Sequence, residues 1–325
     1  MTKSLVGGLA ILVAAMVGGA QAQTYPSRPI TIVSPFAAGG PTDVIARIMA
    51  ERMRGPLGQS VIVENVVGAG GSIGVGRVAR ANPDGHTLIL GNWGSFVVIG
   101  AVYPLQFDLV KDFEPITPLV TEPTVMVAKK TVPANNLREL LAWIKSNPGK
   151  VTMATSGVGG PSHIFGAFFQ QHTGADVQLV PYRGAGPALQ DVVAGQIDTM
   201  ITGPTIVLPL LRGGNIKAYA VNAKTRLASA PDIPTVDEAG LPGLYFSVWH
   251  GLWAPKGTPK DVIAKINAAA SEALADETVK KRFADIGQDI WPRASQTPAA
   301  LVAHQKAEIE RWWPVIKAAG IRPPS

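Results

Sequence analysis

Twice in this chain a short β-branched run ends at a Gly-Gly-Pro turn that opens an amphipathic helix. The first copy is Gly39-Gly40-Pro41-Thr42-Asp43, after a run ending at Ser34. The second is Gly159-Gly160-Pro161-Ser162-His163, after a run ending at Thr155. The helices beyond carry apolar residues at matching offsets: Val44, Ile45, Ile48 and Met49 in one, Ile164, Phe165, Phe168 and Phe169 in the other. Each set fits one buried helical face. A strand feeding a helix through a tight turn is half of an α/β unit, and the rest of the chain keeps to that alternation. Strands are expected over 29–34, 60–64, 86–91, 124–129, 151–155, 177–181, 198–201, 218–221 and 246–254. Helices are expected over 41–53, 137–147, 162–173, 188–194, 260–275 and 298–319. The segments 121–124 and 230–242 read as linkers or covers. The expected architecture is therefore α/β, with largely parallel sheets in two lobes. One lobe takes 23–124 with 248–325, and the other takes 125–247.

The chain begins with a leader pattern: Lys3, an apolar stretch from Leu5 to Ala20, and the small-x-small site Ala20-Gln21-Ala22. This predicts a signal peptide spanning 1–22, cleaved after Ala22, and a periplasmic protein. No Cys follows the apolar stretch, so no lipid anchor is expected; the chain has 0 Cys, which also excludes disulfides and thiolate catalysis. Roughly 300 mature residues are too many for one comfortable core, which favours two lobes. The net charge of +6 is spread along the chain. Without a Lys/Arg block interleaved with aromatics, nucleic acid is not an expected partner.

The Gly-Gly-Pro turns carry the chemistry. Glycines let the backbone turn sharply and approach a ligand. Proline at the first helical position lacks only an N–H that would have no partner there. The remaining free N–H groups point outward at the positive end of the helix dipole, a ready site for carboxylate or phosphate. Thr42 and Ser162 add hydroxyls. One such turn per lobe could grip one anion from both sides of a cleft, and Gly184-Ala185-Gly186-Pro187 after Tyr182-Arg183 echoes the pattern. Hydrogen bonds to a charged group contribute about 1.5–3 kcal/mol each. Three or four of them are of the size that micromolar affinity, about 8 kcal/mol, requires. Rival chemistries lack their residues. There is no Gly-Lys-Ser/Thr phosphate loop and no Gly-x-Ser-x-Gly elbow, and the five His form no metal motif. The run Gly74 to Ala79 mimics a dinucleotide fingerprint without a buried strand before it. No cofactor and no metal are expected.

The chain resembles the Bug-type solute-binding receptors of tripartite tricarboxylate transporters. The motifs that carry the likeness are Pro35-Phe-Ala-Ala-Gly-Gly-Pro-Thr-Asp43, Glu64-Asn-Val-Val-Gly-Ala-Gly-Gly71, Asn82-Pro-Asp-Gly85, Thr155-Ser-Gly-Val-Gly-Gly-Pro-Ser-His163, Pro181-Tyr-Arg-Gly-Ala-Gly-Pro187 and Leu252-Trp-Ala-Pro-Lys-Gly-Thr-Pro259. The resemblance implies a type II periplasmic binding fold whose lobes close on a small carboxylate. It also implies delivery to a permease of one large and one small subunit, and a monomeric receptor without catalytic activity. In the family the two Gly-rich turns hold a ligand carboxylate, often through ordered waters. Here that implies Phe36, Ala37, Ala38, Gly39, Gly40 and Asp43, with Ser156, Gly157, Gly159, Gly160, Ser162 and His163. Tyr182, Arg183 and Thr202 join them.

Many members carry an Asp-Asn pair where this chain has Thr202-Gly203. The loss of a pocket carboxylate there argues for an acid without an amine. Trp93 with Ser95, and Trp249 with His250, are further candidates to wall a di-, tri- or aromatic carboxylic acid; Trp249 reads equally well as strand core. Two other readings stay open: a receptor that presents its ligand to a membrane kinase, and a secreted α/β hydrolase.

Overall fold

A computed structural model describes residues 25–318 and 320–322; the expected signal peptide lies outside them. Strand β1 (Ile30–Ser34) runs into helix α1 (Pro41–Leu57), and β2 (Val61–Asn65) returns beside it. Helix α2 (Ser72–Ala79) leads to β3 (Thr87–Asn92), a π-turn over Gly94–Val98 and the short α3 (Ile99–Val102). Strands β4 (Phe113–Pro123) and β5 (Val125–Lys129) are separated by Thr124 alone. Then come α4 (Leu137–Ser146), β6 (Thr152–Thr155), α5 (Pro161–Thr173), β7 (Gln178–Pro181), α6 (Ala185–Val193), β8 (Thr199–Thr202), α7 (Pro204–Arg212) and β9 (Ile216–Val221). The remaining elements are β10 (Ser247–Pro255), α8 (Lys260–Ala275), α9 (Glu277–Asp285), the two-residue β11 (Asp289–Ile290) and α10 (Pro298–Ala318). No helix among the described residues is long and apolar enough to cross a membrane.

Two sheets form, in the orders β2-β1-β3-β10-β4-β11 and β7-β6-β8-β5-β9. They share one plan. Three parallel strands stand on one side, β2-β1-β3 or β7-β6-β8. An antiparallel strand, β10 or β5, follows, then β4 or β9. The sheets are thus mixed rather than largely parallel. The reason lies in the crossings: β5 and β10 each enter their sheet from the other lobe, at the end where the parallel strands finish. Among the described residues, only Thr124 and the segment 222–246 pass between the sheets. They are tied in a ring, with Thr124 N–H donating to Phe246 O (2.9 Å), Asn222 N–H to Thr124 O (2.8 Å) and Phe246 N–H to Asn222 O (2.8 Å).

The segment 121–124, read above as a linker, is instead the end of β4 and the single crossing residue. Pro115, Pro118 and Pro123 disguise this strand. Proline cannot donate to a ladder and is confined to edges and bulges. Here the pairing with β10 slips at His250/Gly251 and at Leu252/Trp253, opposite Pro118 and Pro115. Helix α1 also outruns its expected end, stopping only at Gly58 in the left-handed conformation, a common helix stop.

One apolar core lies under α1 and α8, and another under α6 and α7. A third joins the lobes through Trp93, Phe165, Phe246 and Trp312. Trp93 meets Phe246 and Trp312 edge-on, with ring centroids 5.4 and 5.3 Å apart.

Candidate ligand-binding cleft

The two Gly-Gly-Pro turns are built alike. Gly39 and Gly159 have φ of +77° and +75°, a conformation that glycine adopts without strain. Gly40 and Gly160 follow in extended backbone as helix N-caps. Each donates back three residues, Gly40 to Ala37 O (3.3 Å) and Gly160 to Gly157 O (3.0 Å). A side chain from the first helical turn then braces each loop. Asp43 Oδ2 accepts Gly39 N–H at 2.9 Å, and His163 Nδ1 accepts Gly159 N–H at 3.0 Å. Burial alone would raise the Asp43 carboxyl, but hydrogen bonds from Arg47, Gly39 and Asn65 hold it below the usual range. Burial lowers His163, which keeps its ring neutral and able to accept. Asp43 and His163 are therefore supports of the turns and do not line the cavity between them.

That cavity has a volume of about 50 Å³, several times the roughly 10–15 Å³ that admits one water. Phe36, Ala37, Gly40, Pro41 and Thr42 face it from the first lobe; Ser156, Pro161, Ser162 and Phe165 face it from the second. Ser162 Oγ accepts Ser156 N–H at 2.6 Å and donates to Ser156 Oγ at 2.8 Å. Outward, Phe36, Ala37 and Ser156 are shared with a larger vestibule of about 790 Å³, walled by the Gly68–Gly71 loop, Gly157, Tyr182, Arg183 and Gly184. Tyr182 and Arg183 thus stand at the mouth, with the Tyr182 hydroxyl donating to Asp191 at 2.5 Å. Ala38 and Gly39 are exposed at the tip of the first turn.

Three expected wall residues lie elsewhere. Trp93 is fully buried in the aromatic core between the lobes. Trp249 packs on Trp253 and His304, because neighbours on a strand face opposite ways and Val248 and His250 take the cavity side. Ser95 ties down the turn after β3, its Oγ accepting Asn92 N–H at 2.9 Å.

His250 does line the cavity, as the end of an oriented chain. Ser95 N–H donates to Asn92 Oδ1 (3.1 Å), which turns Asn92 Nδ2 toward Thr42 Oγ1 (3.1 Å). The Thr42 hydroxyl hydrogen is then directed at His250 Nε2 (3.2 Å). This network assigns the ring proton to Nδ1, which has no hydrogen-bond partner among the described residues. Burial pushes the His250 pKa down to about 3, so the ring is neutral.

The far wall holds a residue the sequence reading missed. Glu122, at the end of β4, lines the cavity beside Thr124, Thr202 and Gly203. It is 1% exposed and accepts from Thr205 Oγ1 at 2.9 Å and from Gln288 Nε2. A third Gly-Pro-hydroxyl terminus, Gly203-Pro204-Thr205, opens α7 there, and a Cβ at Gly203 would overlap the Glu122 carboxyl. The pocket carboxylate read as lost at Thr202-Gly203 is thus supplied from another strand. The chain's own carboxyl fills the third terminus, while α1 and α5 leave theirs facing the cavity. The triplet was visible in the sequence; its occupant was not.

The model of the tripartite tricarboxylate transporter family receptor matches residues 45–321. A UPF0065 protein of Agrobacterium vitis, from the TAR-I ttuE-ttuC' intergenic region, is 42% identical over 303 residues, 93% of this chain and 87% of its own. Among solved structures, the periplasmic binding protein BugD superposes with a TM-score of 0.88 at 39% identity, over 92% of this chain and 100% of that one. MatC of Rhodopseudomonas palustris with bound malate gives 0.86 at 40% identity, over 90% and 100%.

Proposed function

This chain belongs to the tripartite tricarboxylate transporter receptor family, and on that footing we propose that it captures a small carboxylate in the periplasm and hands it to a membrane permease. The observation that carries the reading is the convergence of two matched helix N-termini, from different lobes, on one cavity with no Lys or Arg on its wall. An anion held there is met by backbone N–H groups, two helix dipoles and the hydroxyl of Ser156, which Ser162 holds in place. The turns Phe36–Gly40 and Ser156–Ser162 are the proposed grip, with Thr202 and His250 deeper in. The malate bound to MatC supports a di- or hydroxy-acid of similar size.

Non-catalytic binding suits the same geometry. Ser162 is engaged with Ser156, and His163 accepts from Gly159 N–H, so the adjacent pair does not form a nucleophile and its base. Closure of the lobes about the ring at Thr124, Asn222 and Phe246 would seal the solute from water, with tighter binding to the closed state as the driving force.

The test is a thermal-shift screen with malate, succinate, citrate, adipate, benzoate and glutamate, followed by calorimetry on any hit. An acid present at 100 times its Kd should add about 2.7 kcal/mol to unfolding, and Ser162→Ala should weaken it. No shift with any acid would overturn the reading.

A further inference from the structure

Glu122 is the one carboxyl on the cavity wall among the described residues, and that wall carries no cation to balance it. Its two side-chain donors, Thr205 Oγ1 and Gln288 Nε2, both reach Oε2, and the Thr205 backbone N–H also donates to the carboxyl; among the described residues no side chain donates to Oε1. A carboxylate brought into so small a space by the two turns would face Glu122 across a cavity of about 50 Å³. Two like charges at such range do not both stay ionised.

We propose that Glu122 selects the far end of the solute: it is protonated in the loaded cleft and donates from Oε1 to an oxygen acceptor there, so that only the protonated form of Glu122 takes the anion. This rests on the carboxylate reading above. The favoured solute is then an acid with a second oxygen function at its far end, such as a hydroxy-, oxo- or dicarboxylic acid, and an ammonium at that end is disfavoured. His250, with its unpartnered Nδ1–H on the same wall, is the second neutral donor available.

The surroundings agree. Burial pushes the Glu122 pKa up to about 8, against the pull of Thr205 and Gln288. The neighbouring strands bring His250, held neutral on β10, and Asp289 on β11, itself raised by burial and not on the cavity wall. On α10, His304 is packed between Trp249 and Trp291. On α7, Arg212 is spent on the carbonyls of Ser229 and Asp285. None of these is hydrogen-bonded or ion-paired to Glu122.

The experiment is calorimetric titration of the full protein with malate, adipate and benzoate from pH 6 to 9.5, in buffers of different ionisation enthalpy. Below about pH 8 Glu122 already holds its proton, so affinity is flat and proton uptake near zero. Above it, affinity falls toward tenfold per pH unit and uptake rises toward one proton per acid bound. Glu122→Gln, which keeps the shape and a donor, should bind with an affinity independent of pH and without proton uptake. If that variant does not fold, uptake by the natural protein decides alone. A flat wild-type profile, proton release on binding, or a slope that survives in Glu122→Gln overturns the proposal while leaving the receptor reading intact. Failure of every acid to bind at pH 6 removes both.

Discussion

At the residue scale, the two lobes support equivalent turns with opposite chemistry, and acid should tell them apart. Asp43 accepts Gly39 N–H most strongly when ionised and paired with Arg47, and its folded pKa lies below the ordinary carboxylate value. His163 must be neutral to accept Gly159 N–H, and its folded pKa lies below the ordinary imidazole value. For both groups the associated stability is complete above the unfolded pKa and is lost as pH falls through the folded one. The imidazole window lies higher. On acidification from neutral pH, the Gly159 amide resonance should move first, and the Gly39 amide only below about pH 4, where a free Asp titrates. Simultaneous movement would count against this asymmetry.

His250 has the wider window. The stability tied to its neutral form is present above about 6.5 and is lost as pH falls through about 3. His250→Asn should therefore flatten the acid limb of a pH–stability curve by on the order of 1.4 kcal/mol per pH unit. Sequence could not reveal this burial, since neighbouring positions of one strand split between core and cavity. Trp249 and His250 divide in that way, and Trp93, beside a cavity-lining Asn92, turned inward.

At the element scale, what was legible was what short-range chemistry dictates. Gly and Pro fix local φ, so the starts of α1 and α5 could be placed, along with the cradles they form. The strand β4 was not legible, because its prolines contradict a strand locally and are tolerated only through bulges against β10. With β4 unread, Glu122 could not be placed at α7, a contact between residues 83 positions apart. The turns themselves can be tested. A Cβ at Gly160 would lie 2.6 Å from Ser156 Oγ and 3.1 Å from Gly157 O, pushing apart the hydroxyls and N–H groups offered to an anion. Gly160→Ala should weaken carboxylate binding at least tenfold while costing about 1–2 kcal/mol of stability. Gly174→Ala is the control. Its φ is +64° and nothing lies within 4 Å of the added carbon, so it should cost about 1 kcal/mol and leave binding alone. Equal losses of affinity in the two variants would deny the α5 terminus its role.

At the scale of the whole molecule, the sheets repeat one strand order and are held together at several places, the Glu122–Thr205 and Arg212–Asp285 contacts described above among them. One is the ring of Thr124, Asn222 and Phe246, flanked by the aromatic core around Trp93. Another is across the mouth, where the Tyr103 hydroxyl donates to Val158 O at 2.8 Å, joining the first lobe to the second Gly-rich turn. A hydrogen bond of this kind contributes about 0.5–1.5 kcal/mol net. Tyr103→Phe should therefore lower affinity by roughly two- to twelvefold. It should also enlarge the solute-free radius of gyration in small-angle scattering, with the solute-bound value unchanged. An unchanged free form would show that the bond does not hold the lobes together. The α/β class and the pair of lobes could be read from the alternation of runs. The mixed sheets could not, because strand direction depends on which lobe the chain has just left.

The ring at the two crossings has a consequence for anything that reads the molecule from outside. Both connecting segments are stitched to each other, so the proposed closure would turn about one principal axis, and occupancy would become a single angle. Acids that differ only at their far ends would, on that proposal, give the closed protein the same silhouette. An observer of that silhouette learns that a passenger is aboard and nothing of its identity. Discrimination must be complete before the lobes meet, and it falls to the few atoms that remain inside.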